Sequence, residues 1–160
     1  MLWADGGTMQ FRKPAGPFII TVFSEPVPVR AGVADLSVLV ENVSDQSTVL
    51  DADTKLHLSK AESGRIVELV APATHARAIN KLLYAASVTL PSAGTWKMTV
   101  DVKSKSGAGS ASGEINVLPP EPPVLARWPL FIVVPVMILF FVLNQWLKSR
   151  REVRRGRLRP

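Results

Sequence analysis

From Trp128 to Leu147 the chain reads WPLFIVVPVMILFFVLNQWL, twenty residues without one Asp, Glu, Lys or Arg. At about 1.5 Å of rise per residue, a helix of that length spans roughly 30 Å, the hydrocarbon thickness of a bilayer. A helix that is apolar on every side has to be covered by protein or by lipid, and a chain this short has no room to surround one. The segment therefore reads as a single transmembrane helix. Trp128 and Trp146 stand near its two ends, where amphipathic rings prefer the headgroup level. Pro129 falls in the first turn, where its missing N–H costs nothing. Pro135 falls in the interior, where it frees a carbonyl and kinks the helix, a defect that a neighbouring membrane helix can satisfy.

The next thirteen residues, KSRREVRRGRLRP, carry Lys148, Arg150, Arg151, Arg154, Arg155, Arg157 and Arg159 against Glu152 alone. Their net charge of +6 equals that of the whole chain, so residues 1–147 balance at twelve basic against twelve acidic. The basic pI thus belongs to the tail and gives no ground for nucleic-acid binding. Basic residues flanking a membrane span mark its cytoplasmic side, and each also attracts anionic lipid by about 1 kcal/mol. This orientation leaves the preceding domain outside the cytoplasm. The opening residues fit export: Leu2-Trp3-Ala4 followed by Asp5-Gly6-Gly7 resembles the end of a signal peptide and the start of a mature chain. Residues 1–6 are accordingly read as a remnant of a cleavage region, with the true start upstream. If Met1 is the start, the span becomes a tail anchor and the domain cytoplasmic.

Between residues 7 and 118, short runs alternate apolar and polar residues and are divided by Gly, Pro and Asn-Asp-Ser clusters. That is the pattern of half-buried antiparallel strands. ADLSVLVEN places Leu36, Val38 and Val40 on one face, and TWKMTVDVK places Trp96, Met98, Val100 and Val102 on one face. LLYAASVTL aligns Leu82, Tyr84, Ala86, Val88 and Leu90, with further runs at TMQFRK, PFIITVFS, RIVELV and GEINVL. The expectation is all-β: an immunoglobulin-like antiparallel sandwich of about seven or eight strands. PATHARAINKLLY breaks the pattern and reads as a loop or a single helical turn, with Thr74 as its cap. Residues 119–127 form a proline-rich linker, with four prolines in the five residues from Pro119 to Pro123. Polyproline geometry makes it a semi-rigid spacer that holds the domain near the membrane.

The stretch LLYAASVTLPSAGTWKMTVDV joins an aromatic-led strand, a Pro-x-x-Gly turn and a Trp-led strand. It resembles the YtkA-like and FixH-like families of bacterial periplasmic domains and, more distantly, the CopC-type copper-binding sandwich. PFIITVFSEPVPVRAGVADLSVLVEN agrees, as a strand, a proline-rich turn and a second strand. The resemblance covers roughly residues 16–118 and implies a periplasmic sandwich on a bacterial inner membrane, with an accessory role around copper. The chain departs from it twice. FixH-like proteins carry their span before the domain, and CopC-type copper ligands include an N-terminal histidine that is missing here. Copper ligation does not carry over residue by residue.

Chemistry-bearing residues are few. The absence of cysteine removes thiolate metal sites and thiol catalysis. No nucleophile–base pairing, phosphate loop or paired-carboxylate motif is visible, so the chain reads as a non-enzyme without a cofactor. For metal, the candidates are the two histidines, His57 and His75, with copper as the ion the resemblance implies. Met98 shares a face with Trp96 and reads as core rather than ligand. Asp51, Asp53 and His57 crowd together in VLDADTKLHLSK, but on a strand Asp53 and His57 lie about 13 Å apart, with Lys55 between them. A site there needs residues from a neighbouring strand. The leading functional expectation is a membrane-anchored interaction module docking on another integral membrane protein or complex; the alternative is a copper-handling accessory protein for a membrane oxidase.

Overall fold

The computed structural model describes residues 7–62, 64–121, 132–133, 135–144 and 146. The chain divides after Pro120 into two units. The first holds eight strands in order: β1 (Thr8–Ala15), β2 (Phe18–Glu25), β3 (Gly32–Asn42), β4 (Asp53–Glu62), β5 (Arg65–Ala73), β6 (Tyr84–Leu90), β7 (Gly94–Ser104) and β8 (Gly107–Val117). They form two four-stranded antiparallel sheets, ordered β1-β2-β3-β6 and β5-β4-β7-β8. The chain changes sheet after β3, β5 and β6, the Greek-key crossing that immunoglobulin-type sandwiches share.

Alternation decides which face meets the core. Ile20 and Val22 of β2, Leu36, Val38 and Val40 of β3, and Leu56 and Leu58 of β4 are buried, as are Trp96, Met98, Val100 and Val102 of β7. Each such side chain contributes about 1.5–3 kcal/mol when taken out of water. Met98 is fully buried, in line with its reading as core. The Trp96 indole N–H donates to the Ser92 carbonyl at 3.0 Å, so the polar tip of the largest core residue is satisfied. The Pro-x-x-Gly turn before it is anchored by Lys60, whose ammonium donates to Ser92 Oγ at 2.9 Å and to the Ala93 carbonyl. Gly94 has φ +123°, and a side chain there would press on the Lys60 stem.

Three expectations are corrected. Leu82 does not belong to β6, which begins at Tyr84; Leu82 is about half exposed, while Leu83 and Ala85, expected on the outer face, are buried. They pack with Ala78 against Phe23 and Leu39, because the 74–83 segment folds over that face. Thr74 caps no helix; its N–H and C=O exchange hydrogen bonds with Ala85 at 3.0 and 3.1 Å, and a non-helical turn follows. β8 starts at Gly107, well before the GEINVL run, so GAGSAS is strand as well.

In the second unit, residues 132–133, 135–144 and 146 are helical. Among the described residues no helix is long and apolar enough to cross a membrane. Pro135 is itself helical, as are Ile132 and Val133 before it. Five successive residues, Val136 to Phe140, cover every direction around the axis and are 43–70% exposed. Residues 1–6, read as a cleavage-region remnant, and residues 122–127 and 148–160, read as linker and basic tail, lie outside the described residues.

Candidate functional site

Hairpin geometry places the outer face of the second sheet. The two-residue connection between Ser104 and Gly107 sets the register of β7 on β8, and β7 in turn pairs with β4 as Asp53↔Lys103, Lys55↔Asp101 and His57↔Thr99. The residues that alternate with the buried leucines of β4 therefore meet the polar residues of β7 in the solvent. His57 Nε2 lies 3.2 Å from Asp101 Oδ2, a diagonal cross-strand contact with both side chains a little under half exposed. Lys55 turns to Asp53 of its own strand at 3.7 Å. A shallow hollow of about 540 Å³ lies over this face, lined by Asp53, Lys55, His57, Asp101, Lys103 and Ser110 among others.

Asp53 and His57 line the same hollow, but strand spacing sets them too far apart to share one ion. The neighbouring strand does supply His57 with a partner, and that partner is Asp101. The pair offers one imidazole nitrogen and one carboxylate. Structural zinc takes four protein ligands and catalytic zinc three; among the described residues no group of three or more His, Asp or Glu is placed to hold a metal ion. As an exposed contact it adds little to stability.

His75 stands in a different environment. Its Nδ1 lies 2.9 Å from the Leu83 carbonyl and its Nε2 3.1 Å from the Leu50 carbonyl. Its ring packs on Tyr84 with centroids 3.9 Å apart. Both nitrogens face backbone oxygens, and the one that carries the proton donates, so His75 is seated between the 74–83 segment and the 43–52 connection and is not free for a metal. Tyr84 completes the clasp: its hydroxyl donates to the Val49 carbonyl and accepts from the Ala52 N–H, each at 2.9 Å. Burial pushes the Tyr84 phenol up from its ordinary value of 10.0; the Ala52 N–H opposes the shift and the nearby Asp51 charge adds to it. The histidines therefore belong to different structures, one solvated pair and one loop anchor.

Sequence reasoning missed a second hollow, of about 300 Å³, on the outer face of the first sheet. Glu25 and Asp35, register partners on β2 and β3, line it with Ser37, Arg77, Asn80 and Ser87. The break in alternation at PATHARAINKLLY was its only trace, and residues 74–83 of that stretch fold over the sheet. No family model and no curated protein matches the chain. Among solved structures it is similar to the PmoD soluble domain from Methylocystis sp. (Rockwell), with 15% identity over 69% of this chain and 97% of that one, and a TM-score of 0.43. It is also similar to the PKD domain of the human VPS10 domain-containing receptor SorCS2, with 20% identity over 76% of this chain and 91% of that one, and a TM-score of 0.34.

Of the membrane-side residues singled out in the sequence, Pro135 and Trp146 are helical. Trp128, Lys148, Arg150, Arg151, Arg154 and Arg155 lie outside the described residues.

Proposed function

We propose that the chain is a membrane-anchored, non-catalytic interaction module: a sandwich held on the non-cytoplasmic side of a bacterial inner membrane, acting as an accessory or assembly subunit of a larger membrane complex. The observation that carries this reading is the helical stretch 136–143, apolar and exposed at every residue, within a charge-free run that is followed by seven basic residues against one acidic. A helix of that composition is stable in lipid and not in water. The semi-rigid linker and the interior Pro135 suit a domain positioned against a partner helix. The resemblance to YtkA-like and FixH-like domains agrees with the compartment.

The test is alkaline extraction of membranes from cells expressing the full chain, followed by purification in mild detergent. The chain should stay in the membrane pellet, become soluble when residues 128–160 are removed, and copurify with a defined integral membrane protein. Recovery of the intact chain in the soluble fraction would end the reading.

The His57–Asp101 contact favours a second reading, a copper-handling accessory protein, because a neighbouring-strand residue does complete a donor pair at His57. Imidazole and carboxylate both ligate Cu(II). Calorimetric titration of the full chain with Cu(II) separates the readings: binding lost on His57→Ala supports copper handling, and a flat titration of the wild type excludes it.

A further inference from the structure

The four outer strands of a sandwich each present backbone groups that no sheet partner fills, and proteins cover or charge such edges. Here β5 carries an edge that is largely uncovered. Its register with β4 runs from Glu62↔Arg65 to Thr54↔Ala73. A two-residue hairpin makes its closing pair a hydrogen-bonded one, and such pairs alternate along an antiparallel ladder. Arg65, Val67, Leu69, Ala71 and Ala73 therefore bond to β4, and Ile66, Glu68, Val70 and Pro72 turn their backbone groups away. The next residue in this phase, Thr74, shows where the edge points, because it pairs with Ala85 of β6. Beyond that bridge, Pro72 has no N–H, and the N–H and C=O groups of Ile66, Glu68 and Val70 meet no partner among the described residues.

The side chains on this edge fit a partner rather than water. Ile66 is 71% and Val70 61% exposed, and Glu68 stands between them without an ion pair among the described residues. A second copy is a poor occupant. The two-fold register that sets Ile66 against Val70 also sets Glu68 directly against the Glu68 of the other copy, and like charges directly opposite are destabilising. We propose that β5 accepts an extended segment of another protein as an added antiparallel strand, with an apolar-x-basic-x-apolar pattern opposite Val70, Glu68 and Ile66. The backbone ladder supplies affinity and the basic residue opposite Glu68 sets the register. This rests on the reading of the chain as an interaction module and gives that reading a surface.

The test uses the isotope-labelled full chain in detergent and the acetylated, amidated peptide Thr-Val-Thr-Lys-Thr-Val-Thr as probe. The peptide should slow amide exchange at Ile66, Glu68 and Val70 and nowhere else on the sandwich. Its counterpart with glutamate in place of the lysine should bind about fivefold more weakly, the effect of replacing an attractive cross-strand pair by a repulsive one. Glu68→Lys should reverse that preference. Val70→Pro removes an N–H that β4 does not use, so it should abolish binding while the far-UV spectrum stays unchanged. Equal binding of both peptides, exchange protection elsewhere, or β5 amides already protected in a dimer of the free chain would each overturn the proposal. The outcome does not depend on membrane anchoring: peptide failure with the chain still in the membrane pellet removes the edge assignment alone.

Discussion

The two long sides of the sandwich close by opposite means. Along β1 and β8, backbones come close enough that side chains are excluded: a Cβ at Gly109 would collide with the Ala15 carbonyl, and one at Gly113 would enter the Phe11 ring. Lys13 then donates to the Ser112 carbonyl at 2.6 Å, capping an outward acceptor of β8. Along β5 and β6 a single bridge joins the sheets at Thr74 and Ala85, and the rest is stitched by His75, Tyr84 and the segment between. The first seam is closed by shape, with β1 and β8 packed against each other and Lys13 capping one outward carbonyl. The second is held by a few polar contacts at one end, which leaves the remainder of β5 free for a partner.

The largest expected effect comes from breaking the glycine seam. Gly109→Val should cost about 3 kcal/mol, because the obstacle is backbone and neither strand can move without losing its own ladder. Chemical denaturation followed by far-UV circular dichroism gives the number; a loss below about 1 kcal/mol would mean that β1 is only loosely applied to β8. On the polar seam, Tyr84→Phe keeps the ring and its contact with His75 but deserts the Val49 carbonyl and the Ala52 N–H. The expected loss is about 2 kcal/mol, for two groups left unsatisfied beside the core. The same denaturation series measures it, and amide exchange at Ala52 should rise in parallel.

A smaller change of opposite sign tests the core between the seams. The Thr54 hydroxyl is buried and without a hydrogen-bond partner among the described residues, as is that of Thr21. Thr54 faces inward between Ala73 and Val102, so its hydroxyl is desolvated for no return. Thr54→Val keeps the shape and should raise stability by about 1 kcal/mol. Thr21 is covered from outside instead: the 3.0 Å bridge from Arg12 to Glu41 passes over β2, where Thr21 pairs with Arg12 and Ile19 with Glu41.

Legibility in the sequence followed this division. Strands with one wet and one dry face announced themselves by alternation, and the inward sets of β3 and β7 were readable residue by residue. The glycine seam was not, since the reason for Gly109 and Gly113 lies on β1, far away in the chain, and GAGSAS has no side chains large enough to show a period. The role of His75 was hidden for a similar reason: backbone carbonyls hold it, and carbonyls carry no sequence signature. The Asp51-Asp53-His57 cluster could be dismissed from spacing alone. The pairing of His57 with Asp101 needed the β4–β7 register, which no local pattern encodes.

The last and smallest effect separates the seams by pH. The folded Tyr84 phenol is raised above its unfolded value of 10.0, chiefly because burial disfavours the phenolate. The folded state then holds its proton more tightly than the unfolded state does, so stability is at its full value below pH 10 and falls as pH rises through the folded value. Ionisation also removes the O–H that donates to Val49, so charge and hydrogen bond fail together. Lysines titrate in the same range, which makes the difference between wild type and Tyr84→Phe the quantity to measure. Below pH 10 that difference should be constant, and above it the two denaturation midpoints should converge. Parallel curves to the highest accessible pH would show that the phenol stays solvated enough to ionise in place, and that the polar seam is looser than its hydrogen bonds indicate.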